Sequence, residues 1–172
     1  MQTSTKKLSS VIAAEYLREL ESEVRATREC LEQVPMDQPD WKPHEKSMQL
    51  NYLASMIAEM PKWIQYIIEK GEVNFGTFEH DSVKTTDDLV AAFDKNMEAV
   101  RKSFDTLTDD GLKKTFTLRN KEQVLLTSPT DEIISQSINH LVHHRGQLTV
   151  YLKMLGKKIP SIYGPSADSG GF

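Results

Sequence analysis

The chain lacks several features that would have pointed to particular functions. Cys30 is the single cysteine in 172 residues, so no internal disulfide can form; that fits a reducing compartment. There is no excess of positive charge. The formal net charge is −4, which gives no electrostatic case for binding nucleic acid or an anionic membrane. No apolar run approaches the ~20 residues of a membrane span. The first residues, Met1 to Lys7, carry lysines with no apolar signal core behind them. No glycine-rich phosphate loop occurs, which argues against a nucleotide cofactor. Together these absences lead us to expect a soluble, cytoplasmic protein with no membrane or nucleic-acid partner.

What is present is ordinary in bulk and specific in one place. Hydrophobic residues make up 38% and charged residues 27%, the mixture of a globular chain. The length suits one domain with a sizeable core, and no repeat or domain boundary is visible. We therefore take residues 1–172 as one domain, with 159–172 as an extended tail.

Four long helices are expected. The first runs from about Leu8 to Val34, with Leu8, Ile12, Tyr16, Leu20, Val24, Leu31 and Val34 recurring every three or four residues. A polar gap at Thr27–Arg28 interrupts that stripe, and Pro35 and Pro39 end the helix. The second runs from about Lys46 to Lys70, stopped by Gly71. Pro61 inside it predicts a kink, the alternative being two shorter helices meeting at Met60. Residues 71–84 read as a long loop. Thr85 and Asp88 then form a capping box for a third helix, 86–107. Thr115–Leu118 and Val124–Thr127, on either side of polar residues 119–122, suggest a small β-hairpin. Ser128, Pro129 and Asp131 mark the start of a fourth helix that reaches about Leu155. Ile159, Ile162 and Tyr163 are placed to dock the tail. The expected fold is all-α: an antiparallel four-helix bundle with that hairpin between its last two helices.

The specific place is on the fourth helix. Three of the five histidines fall within five residues: His140, His143 and His144. His140 and His144 are four apart, so their rings share one face and can chelate one divalent metal. His140, His144, Gln147 and Tyr151 form a stripe of imidazole, amide and phenol that suits a pocket lining. His143 lies about 100° away and is expected at a helix interface or in water. The plain alternative is a helix with several satisfied or exposed histidines. A catalytic metal site usually needs three protein ligands. On the second helix, Glu59 offers an oxygen and Met56 a soft thioether suited to Cu(I) rather than zinc, nickel or manganese. For each there is an everyday role, Met56 as core filler and Glu59 in solvent. His44 reaches the site only if its end of the helix folds back, and His80 lies in the loop, unconstrained. Cys30, on the first helix, reads as a small core residue and not a nucleophile.

The segment His140-Leu141-Val142-His143-His144-Arg145-Gly146-Gln147-Leu148-Thr149-Val150-Tyr151-Leu152 closely resembles the C-terminal part of DinB-like proteins. So does Ile159-Pro160-Ser161-Ile162-Tyr163-Gly164-Pro165 after it. Trp41 to Met48 and Leu53 to Pro61 look like that family's entry to its second helix and the core of that helix. The resemblance implies an antiparallel four-helix bundle, often a homodimer. It also implies a three-histidine metal site, sometimes holding nickel, zinc or manganese. Two ligands carry over onto His140 and His144. The third position, normally a histidine, is here Met56, so the triad is incomplete. The resemblance further implies activity as a metal-dependent hydrolase or thiol S-transferase on a small-molecule substrate. The alternatives are a metal-free bundle that binds a small molecule or does acid–base work, and an interaction bundle whose site has decayed.

Overall fold

The computed structural model describes residues 10–169. The expectations for Met1 to Lys7, for Leu8 and for residues 170–172 lie outside them. Among the described residues the fold is mostly helical, with five helices and a small three-stranded sheet.

Helix α1 spans Val11–Leu31 and starts at Ser10, whose hydroxyl accepts the Ala13 N–H. Helix α2 spans Leu50–Lys70. It begins four residues later than expected and continues through Pro61 as one helix. Gly71 closes it in the left-handed conformation at φ 64°, its N–H bonded to the Ile67 carbonyl. Strand β1, Glu72–Asn74, follows at once. Helix α3, Thr86–Phe104, has the capping box expected of Thr85 and Asp88. A one-turn helix α4, Asp109–Leu112, is capped by Thr108. Strands β2, Thr115–Asn120, and β3, Gln123–Pro129, form the hairpin. Helix α5, Thr130–Met154, carries the histidines.

The core lies where α2 packs on α3 and α5, and α1 on the same two helices. Leu53, Ile57, Ile64, Phe93, Leu141 and Leu148 are fully or almost fully buried in it. Four long helices were expected and are present. The all-α expectation needs correcting at the sheet. β1 pairs in parallel with β2, and β2 antiparallel with β3, so the sheet is mixed and larger than a hairpin. With one apolar residue in three, β1 has no periodic signature, and its pairing partner lies more than 40 residues along the chain.

The start of α5 also differs. Ser128 belongs to β3 and its hydroxyl bonds the Glu132 carboxylate, while Pro129 holds the cap position without a side-chain cap. The strand runs straight into the helix, and Thr130 is secured at the junction by two hydrogen bonds to the Lys114 carbonyl. Among the described residues, no helix is long and apolar enough to cross a membrane.

Candidate functional site

Helix α5 turns Ile134, Ile138, Leu141, Leu148 and Leu152 into the core. One face round, it carries His140, His144 and Gln147 in a hydrogen-bonded row. His144 is buried and His140 exposed. Their Nε2 atoms are 2.6 Å apart. His144 Nδ1 lies 2.7 Å from Gln147 Oε1, and Gln147 Nε2 lies 3.1 Å from His143 Nε2.

This row assigns its own protons. The Gln147 amide donates to His143, so its oxygen accepts from His144, whose proton therefore sits on Nδ1. A neutral His144 then presents a lone pair at Nε2, and His140 donates to it. His140 keeps its lone pair on Nδ1. Although the residue is exposed as a whole, partial desolvation of its ring lowers the His140 pKa, followed by the charges that His144 and His143 would carry. Burial lowers that of His144 too, against the raising effect of the Gln147 bond. Both shifts favour the neutral rings.

Below the ordinary value of 6.5, the unfolded chain takes up protons that the folded chain refuses, so stability falls as pH drops. The expected result is a melting temperature that declines between about pH 6.5 and 5, before carboxylates titrate. A His140→Gln/His144→Gln double variant should show a flatter profile; an equally steep one would contradict the assignment.

His140 also forms part of the wall of a cavity of about 530 Å³, a size that suits a small molecule. Helix α2 contributes Tyr52, Ser55, Met56, Glu59 and Trp63, spaced along one face. The loop after β1 adds Phe75, Phe78 and His80, and β2 adds Leu118. From α5 come Ile133, Gln136, Ser137 and His140. The aromatic wall is continuous. Trp63 sits 5.6 Å, centroid to centroid, from both Phe75 and Phe78. Among the described residues no lysine or arginine lines the cavity; Lys62, whose Nζ lies 5.6 Å from the Phe78 ring centroid, is paired with Asp81.

Glu59 is neither in solvent nor free. It is buried, accepts the Asp81 N–H at 2.6 Å, and lies 2.8 Å from His80 Nδ1. Asp81 is in turn held by Lys62 at 3.2 Å and Asn96 at 2.9 Å. Burial pushes the Asp81 carboxyl pKa up, but the Asn96 and Lys62 contacts outweigh it and hold that pKa below the ordinary carboxylate range. His80, which the sequence left unconstrained, is therefore pinned at the cavity wall.

The remaining expected positions separate from this cavity. Gln147 braces His144 and His143, as above. Tyr151 is buried, its hydroxyl 3.3 Å from the Met48 carbonyl and its ring packed edge-on against Trp41 at 5.4 Å. Neither lines the cavity; both hold structure beside it. His44 stays in its own loop, accepting the Lys46 N–H. Cys30 is fully buried, and burial pushes its thiol up to about 11, which leaves it unreactive at neutral pH.

Whether these residues suit nickel, zinc or manganese is decided by the donor set. His140 and His144 are hydrogen-bonded to each other through the nitrogens that would chelate. The third position holds the Met56 thioether, a poor ligand for those ions. Glu59 spends its oxygens on His80 and Asp81. Among the described residues, no three histidine, cysteine, aspartate or glutamate side chains are grouped to hold a metal. The donor set does not fit the metal that the resemblance implies.

A family model described as the DinB family matches residues 1–170. Two solved structures share the fold. A DinB-like protein from Bacillus subtilis aligns with a TM-score of 0.67 at 20% identity, over 86% of this chain and 96% of its own. Another DinB-like protein, from Bacillus cereus, aligns with a TM-score of 0.65 at 17% identity, over 90% and 99%. The uncharacterized protein YrdA of Bacillus subtilis is 40% identical over 40 residues, 23% of this chain. That stretch covers only 24% of YrdA.

Proposed function

The chain belongs to the DinB family, and from that premise we propose that it is a metal-independent member which binds a neutral, largely aromatic small molecule in the cavity between α2, α5 and the loop after β1. The observation that carries this is the cavity wall: aromatic side chains, no cation, and His140 with its chelating nitrogen committed to His144. A carboxylate or phosphate ligand would find no counter-charge there, and burying an unpaired anion is costly. A neutral ring gains area burial and ring–ring contact from Trp63, Phe75 and Phe78.

The hydrolase and thiol-transferase readings share this cavity but need a third metal ligand, which the Met56 thioether does not supply for nickel, zinc or manganese. The residues themselves do three things in the proposed site. The aromatic wall holds the ligand and excludes water. His140 gives the α5 side a neutral polar contact, held in place by His144 and Gln147. Met56 fills the place of a ligand with an apolar, polarisable side chain.

The test is calorimetric titration with para-ethylphenol, before and after treatment with a chelator. The expected dissociation constant is on the order of 0.1 mM, about −5.5 kcal/mol, with a negative heat-capacity change. It should be the same with and without chelator. Binding that disappears on chelation, or no binding at all, defeats the proposal.

A further inference from the structure

We propose that His80, held by the buried carboxylate of Glu59, is the acceptor for a hydroxyl group on the ligand, so that the cavity selects aromatic alcohols over rings without a donor. This rests on the cavity being a ligand site as proposed above.

Glu59 sits one turn along α2 from Met56, in the cavity wall, with its side chain only 8% exposed. A carboxylate so placed needs donors, and it has two: the Asp81 N–H and His80 Nδ1. In the neutral imidazole the second contact fixes the tautomer, because a carboxylate can only accept: the proton lies on Nδ1, and Nε2, across the ring, carries the lone pair. His80 lines the cavity, yet its side chain is 70% exposed, which places it at the mouth.

The ring is steered from a second side. Phe78 packs edge-on against it at 5.2 Å. The backbone on the other flank is tied down through Asp81, whose carboxylate is held by Lys62 and Asn96. Asn96 itself bonds the Ala58 carbonyl of α2, so the loop is anchored to the helix that carries Glu59. A carboxylate behind an imidazole orients the ring and polarises it, which strengthens Nε2 as an acceptor. His140, the other imidazole in the wall, has neutral partners instead.

The polar side-chain groups lining this cavity are hydroxyls, an amide, the Trp63 indole N–H, Glu59 and the two imidazoles. Ser137 donates to the Ile133 carbonyl and is buried. His80, at the mouth and braced by Glu59 and Phe78, is the acceptor best held for an arriving hydroxyl, with the aromatic wall of Trp63, Phe75 and Phe78 ready for the attached ring.

The experiment compares para-ethylphenol with para-ethylanisole, its methyl ether, which keeps the ring and loses the donor. Calorimetric titration of the wild-type chain is expected to show about a 2- to 10-fold preference for the phenol. Two variants carry the test. His80→Phe keeps a ring but has no acceptor. His80→Asn keeps an N–H for Glu59 without the distal nitrogen, so it decides the matter should the phenylalanine variant unfold. In both, the preference is expected to fall to about one while the anisole still binds. A preference that survives in the variants overturns the assignment, as does equal wild-type affinity for the two probes. In either case the cavity remains a ligand site. Failure of the wild-type chain to bind either probe overturns the proposed function and this inference together.

Discussion

Met56→His is expected to turn this chain into a metal-binding protein. The substitution puts an imidazole at the position where the family resemblance places a third ligand, on the cavity wall that also holds His140. Three imidazoles make a set of the kind that zinc accepts while keeping an open position. The His140–His144 hydrogen bond must give way, since both Nε2 atoms then need lone pairs for the metal. Zinc retention after desalting should rise at least about 100-fold over wild type, because loss of even an outer-shell partner changes metal affinity by 10–100-fold. At zinc about 100 times the dissociation constant, the folded state gains about 2.7 kcal/mol. For a chain of this length that raises the melting temperature by roughly 5–10 °C. Equal zinc retention by the variant and the wild type would show that Met56 is not the missing ligand.

The largest expected loss of stability lies away from the cavity. Arg145 is on α5, its side chain 1% exposed, with Nη1 2.6 Å from the Glu23 carboxylate of α1. The same nitrogen lies 3.1 Å from Thr27 Oγ1, and Nη2 donates to the Tyr163 hydroxyl at 2.9 Å. Tyr163 passes the contact on, donating to Glu23 at 2.9 Å. Four residues from α1, α5 and the tail thus close one network, buried at Glu23, Thr27 and Arg145. Removing one partner leaves an uncompensated charge, so Arg145→Met is expected to cost about 3–5 kcal/mol in urea denaturation. The Glu23→Leu/Arg145→Met double variant should lose less than the sum of the two single changes, with a coupling of about 0.5–3 kcal/mol. Additive losses would mean that the pair contributes no mutual stabilisation.

The same network shows which parts of the structure were legible in the sequence. The polar gap at Thr27–Arg28 looked like a defect in the apolar stripe of the first helix. It is where Thr27, fully buried, receives Arg145. The tail was expected to dock through Ile159, Ile162 and Tyr163. The two isoleucines do pack on the core, but Tyr163 docks through its hydroxyl while its ring stays exposed. Long periodic helices were readable because each carries its own signal, as were the Thr85–Asp88 box and Gly71. β1 and the true start of α5 were not, because both depend on pairing with residues distant in the chain.

The histidine face of α5 was readable for the same reason as the helices: a spacing of four needs no tertiary information. The opposite wall was not. Tyr52, Met56, Glu59 and Trp63 lie on one face of α2, a periodic signal that mixes polar and aromatic residues without naming a pocket. His80 had no local signal at all. Its place depends on Glu59, 21 positions away, and on the Asp81 anchor.

We infer that His140 and His144 bond each other rather than a metal. Imidazole nitrogen-15 NMR of the wild-type chain, titrated with zinc, checks this. A protonated Nδ1 on His144, a protonated Nε2 on His140 at neutral pH and no change in either ring at one equivalent of zinc are expected. Loss of the His140 proton, with both rings shifting together as zinc is added, would contradict it.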